Sequence, residues 1–259
     1  MVKAIKTFTG NILDNMLIRG SKRTKTVKSN AYLSLVIMIA NNLVGILFIP
    51  VVIGMIEPIR YGIWITVNSV LHWFNLANLG LGGGLRTRLS LALASGDKDL
   101  AKRYISTGYA FLCCVVLLVV LVFLFVQRYI NWALFFNAPS TYSSELRIMM
   151  IFVFMFFMLR LVMQLINNIL VAFQKVFLRS LINFVGHLAT LITIYVVFLS
   201  VEANLFLLGV IYTLTPVLIL FVASIIVFSK KLKQYRPRIS HMARLMDSFI
   251  QREFNTYSL

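Results

Sequence analysis

The chain has 259 residues, of which 60% are hydrophobic, and it carries a formal net charge of +17 at pH 7. Its mean hydropathy of +0.89 excludes an ordinary soluble globular domain. A nucleic-acid-binding protein is not favoured either, because the basic residues lie at the ends of apolar stretches. At those positions they orient a membrane protein and attract anionic lipid headgroups. The composition therefore predicts an integral membrane protein surrounded by membrane lipids, with no nucleic-acid partner.

Residues 1–30 form a basic segment that lacks the apolar core of a cleavable signal peptide. Ile5, Phe8, Ile12 and Met16 recur at helical spacing within it. This pattern suits a short amphipathic helix lying on the membrane surface, and a disordered tail is the alternative.

Residues 31–229 contain six apolar stretches, each close to the ~20 residues that cross a bilayer as a helix. They are Tyr32–Ile53, Tyr61–Leu79, Ile105–Val126, Ile148–Leu170, Val176–Leu199 and Leu205–Phe228. The predicted fold is an all-α integral membrane bundle of six transmembrane helices.

Nearly all of the 25 Lys and Arg residues lie on one side of these spans. Only Arg60, Arg128 and Arg147 lie on the opposite side, and Arg160 lies within a span. The positive-inside rule makes the basic side cytoplasmic, so both termini are predicted to be cytoplasmic. Residues 230–259 form a basic cytoplasmic tail without a further span, which suggests a truncated or frame-shifted end.

Two features predict departures from straight helices. A glycine run after the second span is expected to loosen or bend the helix at the membrane edge, followed by two short cytoplasmic helical pieces at 89–95 and 97–104. A proline near the middle of the sixth span predicts a kink, which serves either as a hinge or only in packing. The candidate hinge residues are Gly80, Gly82, Gly83, Gly84 and Pro216.

Arg160 is the main charged residue that needs an explanation. It lies at mid-depth of the fourth span, where an Arg costs roughly 2.5–3.5 kcal/mol even on the lenient insertion scale. All 8 acidic residues lie at span ends or in loops, so an internal salt bridge is not expected. Arg160 therefore faces a wet cavity or an anionic ligand, or else it binds carbonyls and water in a structural role.

Amide and imidazole side chains recur at helical spacing on four of the spans. Interhelical hydrogen bonds explain any one of these stripes, but four stripes together with an unpaired Arg predict a shared polar interior. The candidate ligand-binding residues are Arg160, Gln164, Asn167, Asn168, Asn41, Asn42, Asn68, His72, Asn183 and His187. His187 is either a proton relay or a hydrogen-bonding side chain, and the lack of a carboxylate in the membrane favours the latter.

Catalytic and metal-binding patterns are not visible. Cys113 and Cys114 are neighbours on a helix, which points them about 100° apart and suits small apolar fillers. Three histidines spread over three segments do not form a metal site, and no nucleophile–base pair occurs. We expect no enzymatic activity, no metal and no cofactor.

Several motifs carry a family resemblance. They are Tyr61-Gly-Ile-Trp64, Asn78-Leu-Gly-Leu-Gly-Gly-Gly-Leu-Arg-Thr-Arg-Leu89, Leu93-Ala-Ser-Gly-Asp-Lys98 with the Ala101–Tyr104 helix, Leu165-Ile-Asn-Asn-Ile-Leu-Val-Ala-Phe-Gln-Lys175 and Leu181-Ile-Asn-Phe184. The chain resembles the O-antigen and polysaccharide flippases of the multidrug/oligosaccharidyl-lipid/polysaccharide exporter superfamily over residues 25–235. These motifs are moderately specific and are not catalytic signatures.

The resemblance implies a multi-pass protein of the bacterial inner membrane that turns over an undecaprenyl-pyrophosphate-linked oligosaccharide. Members have two six-helix lobes around a central cavity and alternate access. In that setting Arg160 would bind the pyrophosphate, and the Asn and Gln stripes would bind sugar hydroxyls. The chain is about half the family's length, so it resembles the N-terminal lobe, and a second lobe or a second copy is the expected partner.

The function predicted from these observations is transport of an O-antigen, capsular or other polysaccharide repeat unit by rocking of lobes around a midplane anion site. A small-molecule exporter of the same fold is one alternative. A membrane-bound transferase, for which Asp97 and Asp99 would be the first residues to test, is another. A non-functional truncated remnant is the third.

Overall fold

The structure is a computed structural model that describes the backbone of residues 22–236 and the side chains of residues 32–73, 82–230 and 232–236. Every described element is a helix. The helices are α1 (Lys22–Ile53), α2 (Pro58–Ala94), α3 (Lys98–Val126), α4 (Trp132–Phe135), α5 (Ser143–Met163), α6 (Leu165–Ala172), α7 (Val176–Ser200) and α8 (Leu205–Ile226). The surface helix or tail predicted for the N-terminal segment lies outside the described residues up to position 21, as does the C-terminal tail beyond position 236.

Within the described residues, 5 helical segments are long and apolar enough to cross a membrane. They are Tyr32–Ile53, Lys98–Tyr129, Ser140–Ala172, Val176–Ser200 and Leu205–Lys230. The all-helical, multi-pass character predicted from the sequence is confirmed by these segments. The predicted second span falls within α2, which is not among them, so six spans remain a prediction.

Two buried apolar clusters lie at opposite ends of the bundle. The first contains Val52 from the end of α1, Trp64 from the start of α2 and Leu146 from the start of α5. The second contains Leu89 from the end of α2 and Ile105 from the start of α3. Successive long helices therefore run in alternating directions, and α2 extends from one cluster to the other.

The charged residues are distributed unevenly between these two ends. We call the end that holds the second cluster the basic end, because the helix termini there carry most of the described cations. These are Arg86, Arg88, Lys98, Lys102, Arg103, Lys175, Arg179, Lys230, Lys233 and Arg236. The opposite end carries Arg60, Arg128 and Arg147 together with Glu57, Glu145 and Glu202.

The outside of the bundle is apolar along most of its length. Large aliphatic side chains such as Ile39, Ile46, Leu118 and Leu121 are exposed on α1 and α3. In water such a surface would drive association, whereas in a bilayer it faces lipid at no cost. Cys113 and Cys114 are free thiols on the exposed part of α3.

Glycines mark two close helix crossings. A Cβ added at Gly209 on α8 would lie 2.8 Å from Cγ2 of Val153 on α5, and one at Gly108 on α3 would lie 2.8 Å from Cδ2 of Leu85 on α2. Small residues allow helix backbones to approach closely where no hydrophobic force acts between helices. The tight contacts of α5 with α8 and of α2 with α3 depend on these positions.

The glycine run at 80–84 does not interrupt α2, which is helical from Pro58 to Ala94. The two short helical pieces predicted after it are also not separate, because residues 89–94 end α2 and Lys98 begins α3. The turn between them is present, with Gly96 at a φ of 76° and the Asp97 side chain accepting from the Leu100 amide at 2.9 Å. Continuous i→i−4 bonding outweighs the weak helix propensity of the glycines.

The predicted fourth span is divided at Gln164 into α5 and α6. The backbone N–H of Gln164 donates to the Arg160 carbonyl at 2.8 Å, and the Gln164 carbonyl accepts from the Asn167 N–H, three residues on, at 2.9 Å. This tighter bond makes the division a single turn rather than a loop. The helix α8 continues through Pro216, and a π-helical turn, Val227–Lys231, follows its end.

Candidate functional site

Arg160 lies in the last turn of α5, about midway between the two ends of the bundle. Its side chain is half-buried overall, but Nε is enclosed and has no hydrogen-bond partner among the described residues. His187 on α7 and Tyr212 on α8 lie close enough to interact with it electrostatically. The Arg160 guanidinium is therefore within electrostatic range of groups on α7 and α8, and part of its side chain stays accessible.

Tyr212 connects the Arg160 region to the two N-terminal helices. Its ring makes edge-on contacts with Trp64 of α2 at 5.0 Å and with Phe48 of α1 at 5.4 Å. Sequence reasoning missed this residue, because a Tyr in an apolar span resembles any other packing residue. The available signal was Pro216, which has no N–H and therefore leaves the carbonyl of Tyr212 without its helical donor.

Asn167 and Asn183 were predicted on separate stripes, and the structure brings them together. Nδ2 of Asn167 on α6 donates to Oδ1 of Asn183 on α7 at 3.0 Å. Asn167 is buried, and its own Oδ1 has no partner among the described residues. An acceptor oxygen is thus left available inside the bundle.

Asn168 packs against the glycine run of α2. A Cβ at Gly82 would overlap the side-chain amide of Asn168, whereas Gly83 and Gly84 have nothing within 4 Å of such an atom. Gly82 therefore contributes a close helix contact, and the hinge role predicted for it and for Gly80, Gly83, Gly84 and Pro216 stays a prediction.

The polar residues of α1 and α2 are more dispersed. Asn41 is half-buried, with an Oδ1 that lacks a partner among the described residues, and Asn42 is exposed. Asn68 is half-buried and His72 is exposed. None of the described contacts joins Asn68 or His72 to Arg160, so the four predicted stripes converge only in part.

The interior of the described bundle thus offers one half-buried cation, Arg160, whose Nε is enclosed, and several amide groups. The described residues contain no cluster of His, Cys, Asp and Glu that could hold a metal ion. The chemistry available is recognition of an anion by Arg160 and of neutral hydrogen-bonding groups by Asn167 and its neighbours.

Comparisons of the chain with protein-family models, with curated proteins and with solved structures find no match.

Proposed function

We propose that the chain transports a lipid-linked oligosaccharide of the undecaprenyl-pyrophosphate type across the bacterial inner membrane by alternating access, as the N-terminal lobe of a flippase. The observation that carries the proposal is Arg160. It is a half-accessible arginine at mid-depth whose Nε has no partner among the described residues. A pyrophosphate is the kind of group that would satisfy it.

The cost of placing Arg160 supports a ligand role. A central Arg costs about 2.5–3.5 kcal/mol on the insertion scale, and no carboxylate of the sequence lies within a predicted span. A charge-assisted hydrogen bond to a phosphate contributes about 1.5–3 kcal/mol, which offsets much of that cost. A guanidinium also matches a phosphate with two parallel N–H groups.

The amide groups near Arg160 suit the sugar portion of such a substrate. Asn167 has an unpartnered Oδ1, and Asn183 is fixed beside it by a 3.0 Å hydrogen bond. Amides both donate and accept, as sugar hydroxyls do. A site with a cation on α5 and amides on α6 and α7 has the polarity of a phosphate joined to a glycan.

The topology in this proposal has α2 as a sixth span and both termini in the cytoplasm. The length of α2 and its contribution of Trp64 and Leu89 to opposite clusters support the sixth span. The concentration of cations at the basic end supports a cytoplasmic location for that end. Rocking against a second lobe or a second copy would expose the Arg160 region to each side in turn.

The test is binding of a pyrophosphate-linked polyprenyl oligosaccharide to the full chain in lipid nanodiscs, with glycan export in the host as the second measurement. We expect Arg160→Ala to weaken binding by about 10- to 100-fold, as loss of a charge-assisted hydrogen bond requires, and to abolish export. Arg160→Lys keeps the positive charge but lacks the paired N–H groups of a guanidinium. We expect its binding and export to lie between those of the unmodified chain and those of Arg160→Ala.

Arg147→Ala is the matched control, because Arg147 lies on the same helix and is exposed at the opposite end. It removes the same charge and should leave binding unchanged. Absence of binding by the unmodified chain, or equal binding and export by Arg160→Ala, contradicts the proposal.

A further inference from the structure

The connection from α3 to α5, at the end opposite the basic end, is apolar on two sides. We call residues 127–138, which include α4, the aromatic loop. On one side Trp132, Ala133 and Phe136 are buried in the first apolar cluster. On the other side Leu134 is 79% exposed and Phe135 is 61% exposed. The aromatic loop therefore presents a second apolar face that no described residue covers.

Ring contacts place the aromatic loop beside the membrane-crossing part of the bundle. The Trp132 ring lies 6.1 Å from the ring of Phe123 on α3, and Phe123 stacks on Phe154 of α5 at 3.8 Å. Phe123 lies six residues before Tyr129, where the apolar segment of α3 ends, which is roughly 9 Å along a helix axis. The loop thus folds back along α3 and α5 and does not project away from their ends.

The backbone of the aromatic loop satisfies its own hydrogen bonds around α4. The Asn131 side chain accepts from the Leu134 N–H at 3.2 Å. At the other end Asn137 has a φ of 51°, and the Ala138 N–H donates to the Ala133 carbonyl at 2.8 Å, the pattern that closes a helix with a left-handed residue. Unpaired backbone groups are costly near hydrocarbon. A turn capped at both ends can therefore lie below the level of the aqueous phase.

The exposed face of the loop continues a surface that faces lipid. The exposed apolar side chains of α3 extend through Leu121 and Phe125 to Tyr129. The Arg128 guanidinium lies over the rings of Phe125, at 5.1 Å, and Tyr129, at 6.0 Å. Tyr and Arg at the end of a membrane helix typically lie at the level of the lipid headgroups. The lipid-facing surface of α3 therefore reaches the aromatic loop without a polar break.

We propose that the aromatic loop lies in the membrane and inserts Leu134 and Phe135 below the headgroups of the leaflet at this end. The partner is the phospholipid surface itself, with Arg128 at the level of the phosphates. Insertion covers the second apolar face and anchors the ends of α3 and α5 to one leaflet. The proposal requires that the chain crosses a bilayer and does not depend on the transport function.

The experiment uses the full chain in nanodiscs of phosphatidylethanolamine and phosphatidylglycerol. Cys113 and Cys114 are free thiols and are replaced by Ala, and one nitroxide label is attached at Leu134→Cys or at Phe135→Cys. Power saturation compares collisions with oxygen, which enters lipid, and with a nickel chelate, which stays in water. We expect both labels to lie about 5–10 Å below the phosphates, the depth of interfacial helices.

Two further labels calibrate the measurement. Thr141→Cys is exposed on the same connection and should collide freely with the nickel chelate, whereas Leu121→Cys on the exposed face of α3 should collide with oxygen. Nickel accessibility at positions 134 and 135 equal to that at 141 would show a loop in water and overturn the proposal. Labels at 134 and 135 that are screened from both reagents would show a second protein surface in place of lipid and overturn it too.

Photolabelling of the unmodified chain removes any dependence on the cysteine variants. A phospholipid with a diazirine in the upper part of one acyl chain is incorporated into the nanodiscs, and mass spectrometry locates its adducts after irradiation. We expect adducts on Leu134 and Phe135 as well as on the exposed face of α3, and none on Ser140 and Thr141. Labelling of α3 without labelling of the aromatic loop would contradict the insertion.

Discussion

The side-chain amide of Asn167 donates a 3.0 Å hydrogen bond to Oδ1 of Asn183, and this bond joins α6 to α7 inside the bundle. Each residue belongs to a polar stripe on its own helix. Helical spacing alone predicts such a stripe, but it does not show which neighbouring helix the stripe meets. The contact also leaves Oδ1 of Asn167 without a partner among the described residues. One amide pair thus both connects two helices and retains an acceptor for a ligand.

The first prediction concerns the strength of this bond. A double-mutant cycle of Asn167→Ala and Asn183→Ala should give a coupling energy of about 0.6 kcal/mol and at most about 1.7 kcal/mol, the average and the upper limit for hydrogen bonds between membrane helices. Unfolding of the four proteins in mixed micelles measures it. Asn42→Ala, at an exposed position on α1, should change stability little. Strictly additive effects of the two substitutions would show that the amides do not interact in the membrane.

The second prediction separates packing from hinge function in the glycine run. Gly82→Ala should destabilise the chain by about 1–3 kcal/mol, the usual cost of overpacking, because its Cβ would overlap the Asn168 amide. Adding Asn168→Ala should recover part of this loss. Thermal unfolding of the single and double variants measures both effects.

Gly83→Ala and Gly84→Ala are the internal controls, since a Cβ at either position meets nothing within 4 Å. They should be neutral or stabilising by up to about 1 kcal/mol, through helix propensity. If they leave stability intact but abolish transport, the run acts as a hinge. A loss of stability equal to that of Gly82→Ala would contradict the packing argument.

The third prediction concerns Arg60 at the opposite end. Arg60 donates to the Ala203 carbonyl at 3.0 Å and lies over the ring of Tyr142 at 5.7 Å, so it connects the start of α2 to the segments that precede α5 and α8. Arg60→Ala should lower stability by about 1 kcal/mol, the net worth of such a hydrogen bond. Arg147→Ala removes an exposed arginine at the same end and should have a smaller effect. Equal shifts in unfolding temperature would show that the described contacts do not contribute.

This contribution should not depend on pH in the usual working range. The contact with Tyr142, and then the charges of Glu145 and Glu57, raise the pKa of Arg60 above its ordinary value. Because the pKa of Arg60 is higher in the folded chain than in the unfolded chain, its contacts stabilise the fold fully at any pH below the unfolded-state pKa. That stabilisation is lost only as the pH rises through the folded-state pKa. The difference between the unmodified chain and Arg60→Ala should therefore stay constant from pH 6 to pH 9.

The fourth prediction tests Tyr212 as a packing element between α8 and the two N-terminal helices. Tyr212→Ala should destabilise the chain by about 1–3 kcal/mol, because it removes contacts with Trp64 and Phe48. This is less than the ~3–5 kcal/mol for a fully buried aromatic group, since Tyr212 is half-buried. Tyr212→Phe keeps the ring and should remain near the unmodified stability. If Phe proves as damaging as Ala, the hydroxyl and not the ring carries the contact.

Much of the helical architecture could be predicted from the sequence. The apolar stretches predicted five of the membrane-spanning helices of the structure, because a bilayer requires ~20 apolar residues in one helix. The bend expected at the glycine run stays a prediction. The helix α2 continues through residues 80–84, because a local preference against helix is weak beside the hydrogen bonding of the long helix that contains them. The turn expected between residues 89–95 and 97–104 is present, and Gly96 adopts a positive φ there, which suits glycine.

The sequence by itself determined that the chain is helical and apolar, that its cations are concentrated at one side, and that Arg160 has no acidic partner within the spans. These properties depend on composition and on spacing along one helix. Only the tertiary structure decided that Asn167 meets Asn183, that Tyr212 packs on Trp64, and that Asn168 packs against Gly82. Each of these pairs joins different helices, and helical periodicity fixes the face of a residue on its own helix without fixing which neighbour packs there.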